Sequence, residues 1–180
     1  MNRKSNPVFA VVVSQVLAAL GVVAQGVEPS CQALIKQMTP RADLPYRVEQ
    51  DIKVDGKIKT NHAVYIDGYV HVRADNGQWM RVAVNPKAVE ALALEATREC
   101  KLTASDTVGG MKMNVWTIKT ISPVDPLGRE LLTSRVWIGS LDGRVYRQKS
   151  DDFEQRIAYD NVVKSDVTEP KSRQKTKHRE

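Results

Sequence analysis

The sequence predicts an α+β fold: a strongly curved antiparallel sheet, an incomplete barrel, with two helices on its concave side. Three observations predict it. From Tyr46 to Val84 the apolar residues recur with a period of two and the runs are separated by short turn signals. A segment with helical periodicity, Lys87 to Cys100, then interrupts the pattern, and strand-like runs resume as far as Lys164. Nine short strands in one sheet would curl strongly, so a barrel or half-barrel wrapped around helices is the economical architecture.

The first 26 residues read as a secretory signal. Arg3 and Lys4 precede a nearly unbroken apolar run from Val8 to Ala24, and small residues flank a cut after Gly26. The alternative, an uncleaved anchor, would have to accommodate Ser14 and Gln15 within a span near the lower length limit. Cys31 has no small-residue lipobox before it, so acylation at Cys31 is not expected. Residues Ser30 to Met38 suit a short helix, with Ser30 as N-cap, Leu34, Ile35 and Met38 on one stripe, and Pro40 ending it.

In the strand Tyr46 to Val54, Tyr46, Val48, Ile52 and Val54 point one way and Arg47, Glu49, Asp51 and Lys53 the other, a half-wet antiparallel pattern. Asp55-Gly56 and Asp67-Gly68 are two-residue hairpin signals, because a type I′ turn needs positive φ at both positions. With Asp75-Asn76-Gly77 they divide Tyr46 to Val84 into a four-stranded meander. Asn85-Pro86 then opens the second helix, with Asn85 as cap and Val89, Leu92, Ala93, Ala96 and Cys100 on one face. The later strands are expected at about Lys101–Ser105, Gly110–Ile121, Glu130–Ile138, Arg144–Lys149 and Phe153–Lys164.

The formal net charge of +6 points at first to nucleic acid. Its position removes that reading. Residues 1–26 contribute +2 and residues 171–180 contribute +4, so residues 27–170 are neutral. The closing KSRQKTKHRE has no aliphatic or aromatic side chain and is expected to be a disordered basic tail. It offers no stacking platform for bases, and any membrane contact would be peripheral. Removing 26 residues from 180 leaves about 154, one domain's length. The chain thus divides into 1–26 (signal), 27–168 (folded domain) and 169–180 (tail).

Cys31 and Cys100 are the two cysteines. An even pair in an exported chain reads first as a disulfide clamping the two helices; two buried thiols are the alternative. His62 and His71 lie on separate strands with no second His or Cys at metal-ligand spacing, so neither a metal nor a cofactor is expected. No phosphate loop, nucleophile elbow or HExxH is present; Asp51, Asp67, Asp75 and Asp142 are scattered on strand faces or in turns, and those in turns are explained by turn chemistry. Nothing points to an enzyme. Trp79, Trp116 and Trp137 fall mid-strand near Met80, Met111 and Met113, either as ordinary core or as the lining of an apolar concavity.

Several features together carry a family resemblance. They are the N-terminal helix, the meander ending in Gly77-Gln78-Trp79, the helix after Asn85-Pro86, and the closing run Ser134 to Gly139, Asp142-Gly143, Tyr146 to Gln148 and Tyr159 to Val162. From Pro29 to Val167 the chain resembles the periplasmic half-barrel superfamily of LolA, LolB and related lipoprotein-sorting proteins. The resemblance implies an incomplete barrel closed by helices, a periplasmic location and a lipid or acyl chain held in the concavity. The expected function is a non-enzymatic carrier or chaperone for a hydrophobic ligand; the alternative is an envelope protein-interaction module without one. The expected ligand wall is Val48, Ile52, Val64, Ile66, Val136 and Ile138, whose neighbours Glu49, Asp51, Lys53 and Arg135 need water. Trp137 alternates away from Val136 and Ile138 and is expected on the other side.

Overall fold

Helix α1 (Pro29–Met38) buries Cys31, Leu34 and Ile35, the apolar stripe of its sequence. The hydroxyl of Thr39 donates to the carbonyl of Ile35 at 2.9 Å and closes its last turn. The structure, a computed structural model, describes residues 29–41, 43–74, 77–122 and 130–167. The expected signal (1–26) and basic tail (169–180) lie outside the described residues, as do Asp75-Asn76 and 123–129.

The first meander is β1 (Tyr46–Val54), β2 (Lys57–Ile66), β3 (Tyr69–Ala74) and β4 (Met80–Ala83). Asp55 and Gly56 take φ of 51° and 73°, and Asp67 and Gly68 take 52° and 76°, the left-handed pairs that a type I′ turn requires. Helix α2 (Pro86–Ala96) follows. The Asn85 side-chain oxygen accepts from the Lys87 and Ala88 amides at 3.1 and 3.3 Å, with Pro86 at the first helical position. The second meander is β5 (Thr97–Val108), β6 (Met111–Ile121), β7 (Leu131–Gly139), β8 (Val145–Lys149) and β9 (Phe153–Ala158), then a short 3-10 turn, Lys164–Val167.

All nine strands lie in one antiparallel sheet of order β4-β3-β2-β1-β9-β8-β7-β6-β5. The chain begins at the centre, runs out to one edge, crosses by α2 to the other edge, and returns to pair β9 with β1. This path bends the sheet. Laid flat, eight strand spacings would part the edges by about 38 Å. The 13 residues from Val84 to Ala96, mostly helical, reach only about 23 Å. The result is a strongly curved, unclosed sheet with both helices against its concave face, as the sequence predicts. Register shifts at Thr97/Glu99, Leu102/Ala104 and Trp137/Ile138 add local twist.

The concave core joins Cys31 and Leu34 of α1 to Cys100, Ile118, Val136, Ile138 and Val145 of the sheet. A smaller cluster of Met113, Val115 and Trp137 occupies the convex face. There the Trp137 indole N–H donates to Asp106 at 2.9 Å and the Arg147 guanidinium stacks 4.7 Å from its ring. Trp137 therefore faces away from Val136 and Ile138.

Three expectations need correction. The second helix stops at Ala96 rather than Cys100, because Thr97 donates both its amide and its hydroxyl to the Ala93 carbonyl and turns the chain into β5. Thr97 is buried and is the first residue of β5. Cys31 and Cys100 do form a disulfide, with Cα atoms 5.2 Å apart, but it ties α1 to β5 and not one helix to the other. The last strand ends at Ala158, where the chain leaves the sheet.

Candidate functional site

Between the helices and the concave face lies a hollow of about 870 Å³. Its floor is Tyr46 and Val48 of β1, Gln155 and Ile157 of β9, Val145 and Gln148 of β8, and Tyr159 just beyond β9. Its walls are the end of α1 with the connector to Leu44, the start of α2, and the turn Asp142–Arg144. The charged lining residues (Lys36, Arg41, Glu90, Asp142 and Arg144) all come from these walls, and the floor contributes none. A second hollow of about 260 Å³ lies under α2, lined by Val89, Leu92, Ala93 and Ala96 over Ile118, Leu132 and Phe153, without a single charged residue. Met38, Thr39 and Gln148 line both hollows.

Strand register positions this floor. Val48 pairs with Ile157, and Gln50 with Gln155. Because paired residues share a face, the apolar alternation of β1 continues directly onto β9. The helices fill the concavity unevenly. Helix α1 buries its stripe against the floor, whereas no residue of α2 is fully buried.

Aromatic side chains close one end. Tyr46 stacks on Tyr65 with centroids 5.2 Å apart, and Tyr159 lies 5.8 Å from Tyr46 and 5.5 Å from Tyr146. Burial holds the Tyr46 phenol well above its usual range, with Tyr159 and Tyr65 adding to the effect. Burial, then Tyr146, pushes Tyr159 up to about 12. The Tyr159 hydroxyl donates to the Val145 carbonyl at 2.9 Å.

The six residues expected to form one wall separate. Val48 lines the large hollow. Ile52 shares its face and is buried. Val136 and Ile138 are also concave but are covered by α1, in the core with Cys31 and Leu34. Val64 and Ile66 are on the opposite face. The two-residue turn pairs Val54 with Lys57, so every even-numbered residue of β1 faces an odd-numbered one of β2. Val48 therefore sits beside Ala63, and Val64 beside Arg47. Val64 lines a convex hollow of about 520 Å³ with Arg47, His62, Arg73, Trp79 and Arg156. The strand pattern around it is otherwise ionic, with Arg156 bridging Glu49 and Asp51 at 2.7 Å each. Ile157, Gln148, Gln155 and Tyr159, which do line the concavity, were not in the expected wall. The β8–β9 turn signal at Asp151-Asp152 aligns Gln148 with Gln155 in sequence, but only the β1–β9 pairing shows where that hairpin docks.

Among the described residues, no group of His, Cys, Asp and Glu is arranged to hold a metal ion, and no helix is long and apolar enough to cross a membrane.

No protein-family model matches the chain. No curated protein matches it in sequence. Among solved structures, the chain is similar to the Mycobacterium tuberculosis lipoprotein LppX at 12% identity, covering 76% of this chain and 99% of that one with a TM-score of 0.44. It is similar to LprF from Mycobacterium bovis at 11% identity, covering 79% and 98% with a TM-score of 0.41.

Proposed function

We propose that the chain is an exported, non-enzymatic carrier that holds a lipid or other hydrophobic ligand between the concave face of the sheet and the two helices. One observation carries this reading: an uncharged floor beneath a hollow of about 870 Å³ that continues under α2 as a wholly uncharged space of about 260 Å³. Volumes of this order suit small-molecule sites. Each methylene moved from water onto such a surface gains about 0.8 kcal/mol, so an acyl chain loads without covalent chemistry. Export is supported by the charged start and apolar run of residues 1–26 and by the Cys31–Cys100 disulfide, which belongs in an oxidising compartment such as the periplasm.

Titration with a fluorescent acyl probe tests the reading. Val48→Asp and Ile157→Asp each place a charge on the floor and should weaken binding at least tenfold. Ile58→Asp on the exposed convex side, where Ile58 is 72% exposed, should leave it unchanged. No saturable binding by the wild type, or equal binding by all three variants, overturns the carrier. The second reading, an envelope interaction module, would then lead, supported by exposed apolar side chains at both sheet edges: Met80 and Val82 on β4, Leu102 and Val108 on β5.

A further inference from the structure

One row of the concave floor is not what an apolar container needs. Gln50, Gln155 and Gln148 are direct cross-strand partners on β1, β9 and β8, on the face that carries Val48. The rows on either side are apolar, Val48 against Ile157 and Ile52 against Phe153. The Gln155 amide N–H donates to the Gln148 carbonyl oxygen at 2.9 Å, and the Gln148 N–H donates to the Ser134 hydroxyl at 3.3 Å. These bonds leave a second N–H on both Gln148 and Gln155, the Gln155 carbonyl oxygen and the whole Gln50 amide without a protein partner among the described residues.

The row runs through the whole concavity. Gln148 lines the hollows of about 260 and 870 Å³; Gln155 lines the larger one and, with Gln50, a further hollow of about 170 Å³ beside Tyr65. A partly buried amide costs free energy unless it is hydrogen-bonded, whereas leucine in the same place costs nothing. Three such amides in register, two from the β8–β9 hairpin and one from the distant strand β1, are therefore matched to something beyond each other. A plain hydrocarbon covering this row would strip its remaining donors and acceptors of water without replacing those bonds. A ligand with an oxygen at that level would replace them. A neutral oxygen suits this level, because the charged residues of the hollow lie in its walls and none lies on the floor.

We propose that the row Gln50–Gln155–Gln148 is a polar seat, selecting amphiphiles with a neutral hydrogen-bonding group within the apolar chain, such as a hydroxylated or ester-linked acyl chain. The seat rests on the carrier reading and narrows it to a class of ligand.

Displacement of bound cis-parinarate from the full protein by stearate and by 12-hydroxystearate tests it, since the two competitors differ by one mid-chain hydroxyl. The wild type should prefer the hydroxylated chain about three- to tenfold, the range of a neutral hydrogen bond. Gln148→Leu combined with Gln155→Leu removes both partners of the amide pair at once, and should abolish the preference while stearate binds at least as tightly. Saturable parinarate binding without discrimination by the wild type, which needs no variant to fold, overturns the seat and leaves the carrier standing. A double variant that keeps the preference also overturns the seat. No saturable parinarate binding overturns the carrier, and the seat falls with it.

Discussion

Cys31 and Cys100 are 1% and 6% exposed, so their bridge both cross-links the chain and fills the core beneath α1. It spans 69 positions, a loop worth on the order of 4 kcal/mol in the chain-entropy description. Replacing both cysteines by alanine should lower unfolding free energy by about 2–5 kcal/mol, read from denaturant midpoints under oxidising conditions. An unchanged midpoint would mean that the bridge contributes nothing. The tyrosines provide a pH readout at the same scale. Tyr46 and Tyr159 have folded-state values raised above the ordinary 10, so their contribution to stability is complete below pH 10 and is lost as pH rises through about 12 for Tyr159. Burial raises Tyr65 and Tyr146 as well, so ultraviolet titration should find all four of these tyrosines ionising late, and thermal stability falling over that alkaline window. Single residues were partly legible in the sequence. The cysteine pair was, because an even count and the expectation of export constrain it. The glutamines were not, because alone each reads as an ordinary polar strand residue and they become a set only through pairing between distant strands.

Turn chemistry is the clearest signal among the elements. Asp55-Gly56 and Asp67-Gly68 set β1, β2 and β3 to their observed ends, since only positive φ at both positions closes such hairpins. The same turns contain the register that Val64 and Ile66 violate: a two-residue loop makes partners differ in parity, so an inward set cannot keep even numbers on both strands. The end of α2 was harder to read, because Cys100 falls on its helical stripe as well as on an inward position of β5. With no fully buried residue, α2 depends on its caps more than α1 does. Asn85→Ala should cost about 0.5–2 kcal/mol. Hydrogen exchange should show α2 amides opening before those of β6 and β7, and an acyl ligand should slow them selectively. Uniform protection of α2 and the central strands, with or without ligand, would contradict this.

At the level of the whole molecule, local pattern predicts two meanders, helices between and before them, and curvature. The seam between them is out of local reach, because β1 and β9 meet across more than 100 positions and no turn signal joins them. Such a pairing makes folding slow, since a large loop must close before the contacts that reward it form. Refolding with the disulfide intact should take milliseconds to seconds in stopped-flow fluorescence, and Arg156→Ala, which removes the bridge from β9 to Glu49 and Asp51, should weaken the seam without emptying the concavity. The link between the two free edges acts as a hasp of adjustable length. Wound into α2, its 13 residues reach about 23 Å; uncoiled, they reach about 44 Å, beyond the span of the flattened sheet. The hydrogen bonds of one short helix thus hold the jaw shut. Uncoiling of that segment alone would give the two edges room to part, while every strand pair and the Cys31–Cys100 tie stay intact.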